Sequence, residues 1–272
     1  MLNHLLYILW GPSAEALHIG PVTVKWYGLC WASSLFACFY LTQYIFRKTG
    51  RNEEKITTAI QYIFVFGLMG SRLAHVIFYN LDYYLANPLE IPMIWRGGLA
   101  SHGGVVGGLL GLYIFCRRNK EFSFFWLMDH GIIAIPIMAA LIRFGNLMNS
   151  ELYGKHTTLP WAFIFEQVDN VPRHPVVLYE SISYLLIQLL MLYAFTKIKE
   201  SKPGIYIGLF MALIFTIRFA LEFTKEPDAV VLGGLISSTQ ALDLPFMLAG
   251  YVLTYLALNN KLKYPETEAA YG

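Results

Sequence analysis

The chain has 272 residues, of which 56% are hydrophobic, 16% aromatic and only 14% charged, with 20 Lys and Arg against 18 Asp and Glu. A soluble domain carries about 25% charged residues, so this composition excludes a disordered chain and a typical soluble enzyme. A net charge of +2 without a basic stripe excludes a nucleic-acid partner. Cys30, Cys38 and Cys116 all sit inside apolar runs and build no disulfide framework. An integral membrane protein is what remains.

In chain order, MLNHLLYILW comes first; it lacks a basic n-region and its apolar stretch is too short to span. A short interfacial helix is expected there, with Tyr7 and Trp10 at headgroup level. Seven continuously apolar stretches follow, near 24–46, 56–80, 98–116, 122–149, 176–195, 204–223 and 240–258. About 20 apolar residues cross roughly 30 Å of hydrocarbon as a helix, whereas barrel strands alternate polar and apolar residues. The expected fold is therefore all-α and polytopic, a single membrane-embedded domain over 1–272. Alternate loops hold twelve Lys and Arg (Arg47, Lys48, Arg51, Lys55, Arg117, Arg118, Lys120, Lys197, Lys199, Lys202, Lys261, Lys263) against four (Arg96, Lys155, Arg173, Lys225). The positive-inside rule then puts the N-terminus outside and the C-terminus in the cytoplasm. The one long loop, near 150–175, faces outward and holds Pro160, Pro172 and Pro175 with Trp161, Phe163 and Phe165, so a small ordered extracytoplasmic cap is expected.

Four cations fall within the predicted spans: Lys25, Arg72, Arg143 and Arg218. Lys25 is near a helix end and can snorkel. The three arginines are deeper, and each costs about 2.5–3.5 kcal/mol at mid-membrane unless compensated. With the predicted orientation, Arg72 and His75, His102, Arg143 with Asn146, Asn149 and Glu151, His174 with Tyr179 and Glu180, and Arg218 with Glu222 share one depth just inside the outer leaflet. A single polar cavity accounts for that better than scattered structural polar groups. Spacing of three aligns Arg143, Asn146 and Asn149 on one helix face. Arg218 and Glu222 at i, i+4 also suit an internal ion pair, and Arg72 with His75 also suits helix–helix glue. Arginine is the forked donor suited to phosphate, so the cavity calls for an anion. The glycines at 103, 104, 107, 108 and 111 make a small-xxx-small ridge for a neighbouring helix, with His102 at its mouth. Asp129 and His130, in the inner third of the fourth span, have no evident role.

These residues, in this order, resemble the phosphatidylglycerol–prolipoprotein diacylglyceryl transferases of bacterial inner membranes. The match lies in Arg143-Phe-Gly-Asn146-Leu-Met-Asn149-Ser-Glu151-Leu-Tyr-Gly154, in Lys25-Trp-Tyr27-Gly28, in Ser101-His102-Gly-Gly104, in His174-Pro-Val-Val-Leu-Tyr179-Glu180 and in Arg218-Phe-Ala-Leu-Glu222-Phe-Thr-Lys-Glu-Pro227-Asp228, over about residues 20–245. Departures are Ser150 where Gly is usual, Val177 for Gln, Lys225 for Arg, and a loose Ile236-Ser-Ser-Thr-Gln240. The resemblance implies transfer of sn-1,2-diacylglyceryl from phosphatidylglycerol to the lipobox cysteine in the signal peptide of a preprolipoprotein, with membrane lipid as the medium and no cofactor or metal. It implies catalytic roles for His102 as base and for Arg143 and Arg218 on the phosphate. Substrate binding would fall to Tyr27, Arg143, Asn146, Asn149, Glu151, Gly154 and Glu222, with Gly103 and Gly104 beside His102. The rivals are an anion transporter, which would need polar residues at both depths, a seven-helix receptor or retinal protein, which for retinal would need a deep Lys absent from the last span, and a lipid-modifying transferase with another acceptor.

Overall fold

A computed structural model describes residues 7–198, 202–226, 230–231 and 235–263. Residues 1–6, Lys199, Pro227 and Asp228, on which parts of the expectations rest, lie outside the described residues. In chain order the elements are β1 (Ile8–Trp10), β2 (Glu15–Ile19), β3 (Val22–Lys25), α1 (Trp26–Lys48), α2 (Glu53–Tyr79), α3 (Leu81–Ala86), α4 (Ser101–Arg118), α5 (Phe124–Gly131), α6 (Ile135–Met148), β4 (Phe163–Phe165), β5 (Pro172–Arg173), α7 (Val176–Lys197), α8 (Ile205–Glu222), β6 (Val230–Val231), β7 (Ile236–Ser237) and α9 (Ser238–Leu258). The chain falls into two compact units, one of Met1–Thr42 with Met128–Lys263, the other built on Gln43–Leu127.

Six helical stretches are long and apolar enough to cross a membrane: Trp26–Lys48, Glu53–Tyr79, Phe124–Met148, Val176–Lys197, Ile205–Glu222 and Ser238–Leu258. The remaining expected stretch, 98–116, is also a helix, α4, but it is not among them. Its 18 residues include five glycines, His102, Arg117 and Arg118, and glycine adds length without adding apolar surface. The structure is mainly helical, with short strands between the helices that an all-α expectation does not contain. The ten N-terminal residues do not supply an interfacial helix where they are described. Ile8–Trp10 is instead a strand, parallel to Phe163–Phe165, which pairs antiparallel with Pro172–Arg173. A helix that short is marginal by itself, whereas the strand gains partners: the Trp10 indole donates to the Leu147 carbonyl (3.0 Å) and the ring lies 5.2 Å from Phe163. Leu147, Phe163, Phe165 and Val177 form a small core beneath it, so the 150–175 loop is ordered, as its aromatics predict.

Within the first unit, which takes in the span 124–148 from Met128 onward, that span is broken by a 3-10 turn at Ile132–Ala134 just before Pro136. Proline has no N–H and displaces the carbonyl one turn back, which orphans backbone groups in the middle of the span. Gln188 of α7, almost fully buried, answers both sides of the break: its Oε1 accepts from the Ile137 N–H (2.9 Å) and its Nε2 donates to the Ile133 carbonyl (2.9 Å). Asp129 Oδ1 accepts from the Ile207 N–H (2.9 Å) in the first turn of α8, so it acts as a borrowed N-cap. That is the role its sequence position did not reveal.

Within the second unit, α2 and α4 pack through glycine on both sides. A Cβ on Gly70 would strike the Gly103 carbonyl, one on Gly104 would meet Ser71 Oγ at 2.5 Å, and one on Gly111 would meet the Tyr62 carbonyl at 2.5 Å. The small-residue ridge therefore serves helix approach, as its spacing predicts.

Candidate functional site

The motif from Arg143 to Gly154 runs off the end of α6. Gly145 lets α1 come close, since a Cβ there would sit 3.1 Å from Cys30 Cβ and 3.2 Å from the Tyr27 ring. Tyr27 is thereby set beside the turn that carries Arg143 and Asn146. After Met148 the chain reverses through two left-handed residues, Ser150 (φ 54°) and Leu152 (φ 56°). The reversal brings the Glu151 carboxylate back to the helix end, where it accepts from Asn146 Nδ2 (3.0 Å) and Asn149 Nδ2 (3.1 Å). Gly154 then threads a gap that a Cβ would close against the Thr224 carbonyl (2.5 Å) and His174 Cβ (2.8 Å). Its N–H donates to the His174 carbonyl (2.9 Å), and Lys155 N–H donates to the Thr224 carbonyl (2.9 Å). Gly154 thus ties the loop to the ends of α7 and α8.

Beside this turn the first unit gathers charges from α6, α7, α8 and α9. Glu180, 1% exposed, takes Arg143 Nε on one oxygen (2.7 Å) and Lys225 Nζ on the other (2.7 Å). Lys225 also lies 3.6 Å from Glu222. Arg218 does not pair with Glu222, the partner that i, i+4 spacing suggests. Its Nε lies 3.2 Å from Oδ1 of Asp243 on α9, while Glu222 accepts from Ser237 Oγ (3.0 Å). The cross-helix partner prevails because α9 presents Ser237, Gln240 and Asp243 at intervals of three, a single stripe facing α8. Gln240 completes a capping box with Ser237 and donates to the Phe219 carbonyl (3.1 Å). Asp243 joins this charge cluster without having been singled out in the sequence; an acid within an apolar span, in register with Gln240, was the available signal. Lys225, which the sequence shows as a loop cation and as a departure from Arg in the family motif, is the second cation on Glu180.

Tyr179 accepts from the Trp161 indole (2.9 Å) and lies 3.4 Å from His174 Nδ1. Partial burial, and then the nearby Lys155 ammonium, lower the pKa of His174.

The remaining residues belong to the second unit. Arg72 is buried and spends its guanidinium on backbone: Nε on Ile91 O (2.6 Å), Nη1 on Gly97 O (2.7 Å) and Gly98 O (3.1 Å), Nη2 on Glu90 O (2.7 Å). The Tyr84 ring lies 4.9 Å from it. Arg72 is therefore a clamp on the loop that leads into α4. His75 lies 3.2 Å from Asn80 Nδ2 and stacks on Tyr79. His102, in the first turn of α4, is exposed and lines an apolar cleft of about 740 Å³ with Ala74, Phe78, Gly103 and Val106. Gly103 and Gly104 face α2, where their missing side chains let the helices touch. His130, in the first unit, lies edge-on to Tyr206, with ring centroids 5.3 Å apart.

Long apolar helices with paired charges held among them define a polytopic membrane protein that keeps its polar groups within the helix packing. Residues 14–256 match the family model for prolipoprotein diacylglyceryl transferase, and the chain belongs to that family, a family of transferases. It is 42% identical to the phosphatidylglycerol–prolipoprotein diacylglyceryl transferase of Tolumonas auensis over 257 residues, covering 94% of this chain and 100% of that one. The enzyme of the same name from Chloroherpeton thalassium is 41% identical, over 92% of this chain and 94% of its own length. That from Bacteroides fragilis is 36% identical, over 92% and 95%.

Proposed function

We propose that this transferase moves the sn-1,2-diacylglyceryl group of phosphatidylglycerol onto the lipobox cysteine thiol of preprolipoproteins, the first step of bacterial lipoprotein maturation. One observation carries the reading at the level of residues. Arg143 and Arg218 are each held through Nε by a carboxylate that is 1% and 4% exposed, while their own side chains are 23% and 33% exposed. A guanidinium anchored at Nε can turn its terminal N–H groups, one of which in Arg143 can also meet the Tyr184 hydroxyl, toward a further partner, and phosphate matches that fork.

The chemistry follows from the groups. The cysteine thiol loses its proton to become the nucleophile, and sulfur bonds to the glycerol carbon that carries phosphate. The bond from that carbon to the phosphate oxygen breaks, and glycerol 1-phosphate departs with the electron pair. Negative charge on the phosphate grows as it leaves, and two positioned guanidiniums stabilise the growing charge more than the starting one. His102 is the proposed proton acceptor, since imidazole is the side chain most often used as a general base. Asn146, Asn149 and Glu151 form the polar turn beside Arg143 that would receive the glycerol headgroup, with Tyr27 next to it. Gly154 and Glu222 brace the loop and α9 around it. In this reading the chain crosses the bacterial inner membrane seven times, with α4 as the glycine-rich span. Its N-terminus is outside, its C-terminus is cytoplasmic, and the arginines lie near the outer leaflet, where a signal peptide presents its cysteine.

The test uses purified protein in phosphatidylglycerol liposomes with a lipobox peptide, following peptide mass and glycerol phosphate release. A diacylglyceryl mass gain that requires the cysteine, and that falls at least a hundredfold in Arg143→Ala, is expected. Intact phosphatidylglycerol with the peptide demonstrably bound would overturn the reading.

A further inference from the structure

The charges around Arg218 and Arg143 balance. Among the described residues the network holds three cations, Arg143, Arg218 and Lys225, and three carboxylates, Glu180, Glu222 and Asp243. Two of those carboxylates each face a second partner: Glu180 lies between two cations, although its Oε2 meets Arg143 as an ion pair without a hydrogen bond, and Glu222 receives Ser237. Asp243 does not. Its Oδ1 faces Arg218 Nε, and its Oδ2 is buried with no hydrogen-bond partner among the described residues. An unsatisfied buried carboxylate oxygen is costly, and an amide or hydroxyl in its place would meet the same Nε–H without carrying a charge. What a carboxylate adds over those groups is the negative charge, brought to Arg218 by the stripe of Ser237, Gln240 and Asp243.

We propose that Asp243 is a positioning residue for Arg218, and that its charge keeps the affinity for phosphate low enough for the product to leave. This inference rests on the phosphate-holding role of Arg218. Substrate phosphate is a diester with one charge, whereas the product monoester carries about two at neutral pH. Bare arginines in a medium of reduced dielectric would hold the product harder than the substrate. A fixed carboxylate against Arg218 opposes the incoming charge, and it opposes the product more than the substrate because the Coulomb term scales with charge. The Nε contact also restrains the plane of the guanidinium.

The experiment is inhibition of diacylglyceryl transfer by glycerol 1-phosphate, with inorganic phosphate as a second probe, in wild type, Asp243→Asn and Asp243→Glu. Asp243→Asn is expected to lower the inhibition constant of glycerol 1-phosphate about tenfold, equivalent to about 1.4 kcal/mol, and to lower kcat with little rise in KM for phosphatidylglycerol. Asp243→Glu restores the charge and is expected to restore inhibition toward the wild-type value. A merely structural aspartate would give the opposite sign, weaker inhibition and a raised KM in Asp243→Asn, and that result would overturn the inference, as would unchanged inhibition. Should Asp243→Asn not fold, Asp243→Ser removes the same charge from a smaller side chain and carries the same expectation. Wild type that transfers no diacylglyceryl defeats the parent reading; active wild type without tighter inhibition in the variants defeats only the role of Asp243.

Discussion

Ser150 shows how far a single side chain can be read against its backbone. It occupies the left-handed region, which costs a non-glycine residue roughly 1–2 kcal/mol, and its hydroxyl is buried without a partner among the described residues. The family resemblance places glycine there, and the dihedral supplies the physical reason. Ser150→Gly is therefore expected to stabilise the protein by about 1 kcal/mol, raising the thermal midpoint in detergent while leaving transfer intact; a lower midpoint would show that Ser150 makes a contact worth more than the strain. Arg72 gives a second lesson at this scale. From the sequence it counts with Arg143 and Arg218 as a buried cation in need of an anion, but its N–H groups are satisfied by carbonyls. Buried charge identifies a residue that must be compensated, and the compensating group can be backbone.

At the scale of elements, the helix positions were legible because apolar length is a property of consecutive residues. The expected stretch 204–223 is α8 at Ile205–Glu222, and 240–258 is α9 at Ser238–Leu258. What joins the elements was less legible. Gln188 reads as one polar residue in an apolar run until the 3-10 turn before Pro136 exposes two backbone groups to it. Replacing it by Leu leaves an N–H and a carbonyl buried and unpaired, at about 1–3 kcal/mol each. Gln188→Leu is thus expected to lose about 2 kcal/mol or more of stability, measured as the shift of an unfolding transition in detergent against the wild type. A variant that melts with the wild type would mean that the kink closes on itself without α7.

At the scale of the whole molecule, the Lys and Arg asymmetry of the loops argues for one orientation. A fluorescent protein fused after the C-terminus is expected to fold and fluoresce, and alkaline phosphatase fused at the same point is expected to stay inactive. The reverse pair of results would invert the bundle and move the arginines to the cytoplasmic side. The two compact units also divide the proposed machinery: Arg143, Arg218 and their carboxylates belong to one, His102 and the Arg72 clamp to the other. Sequence reasoning placed all of them in one cavity by depth, which is a coordinate along the helices and says nothing about lateral partners.

That distinction marks what the sequence determined by itself. Apolar run length, loop charge and the order of motifs are local along the chain, so they yielded the helices, the expected orientation and the family. Partner choice among charges is not local. Arg218 had Glu222 one turn away and pairs with Asp243, 25 residues on, because α9 sets its polar stripe against α8. Only the tertiary structure could decide that, since at these distances the strength of an ion pair depends on which side chains the packing brings together and not on their separation in sequence.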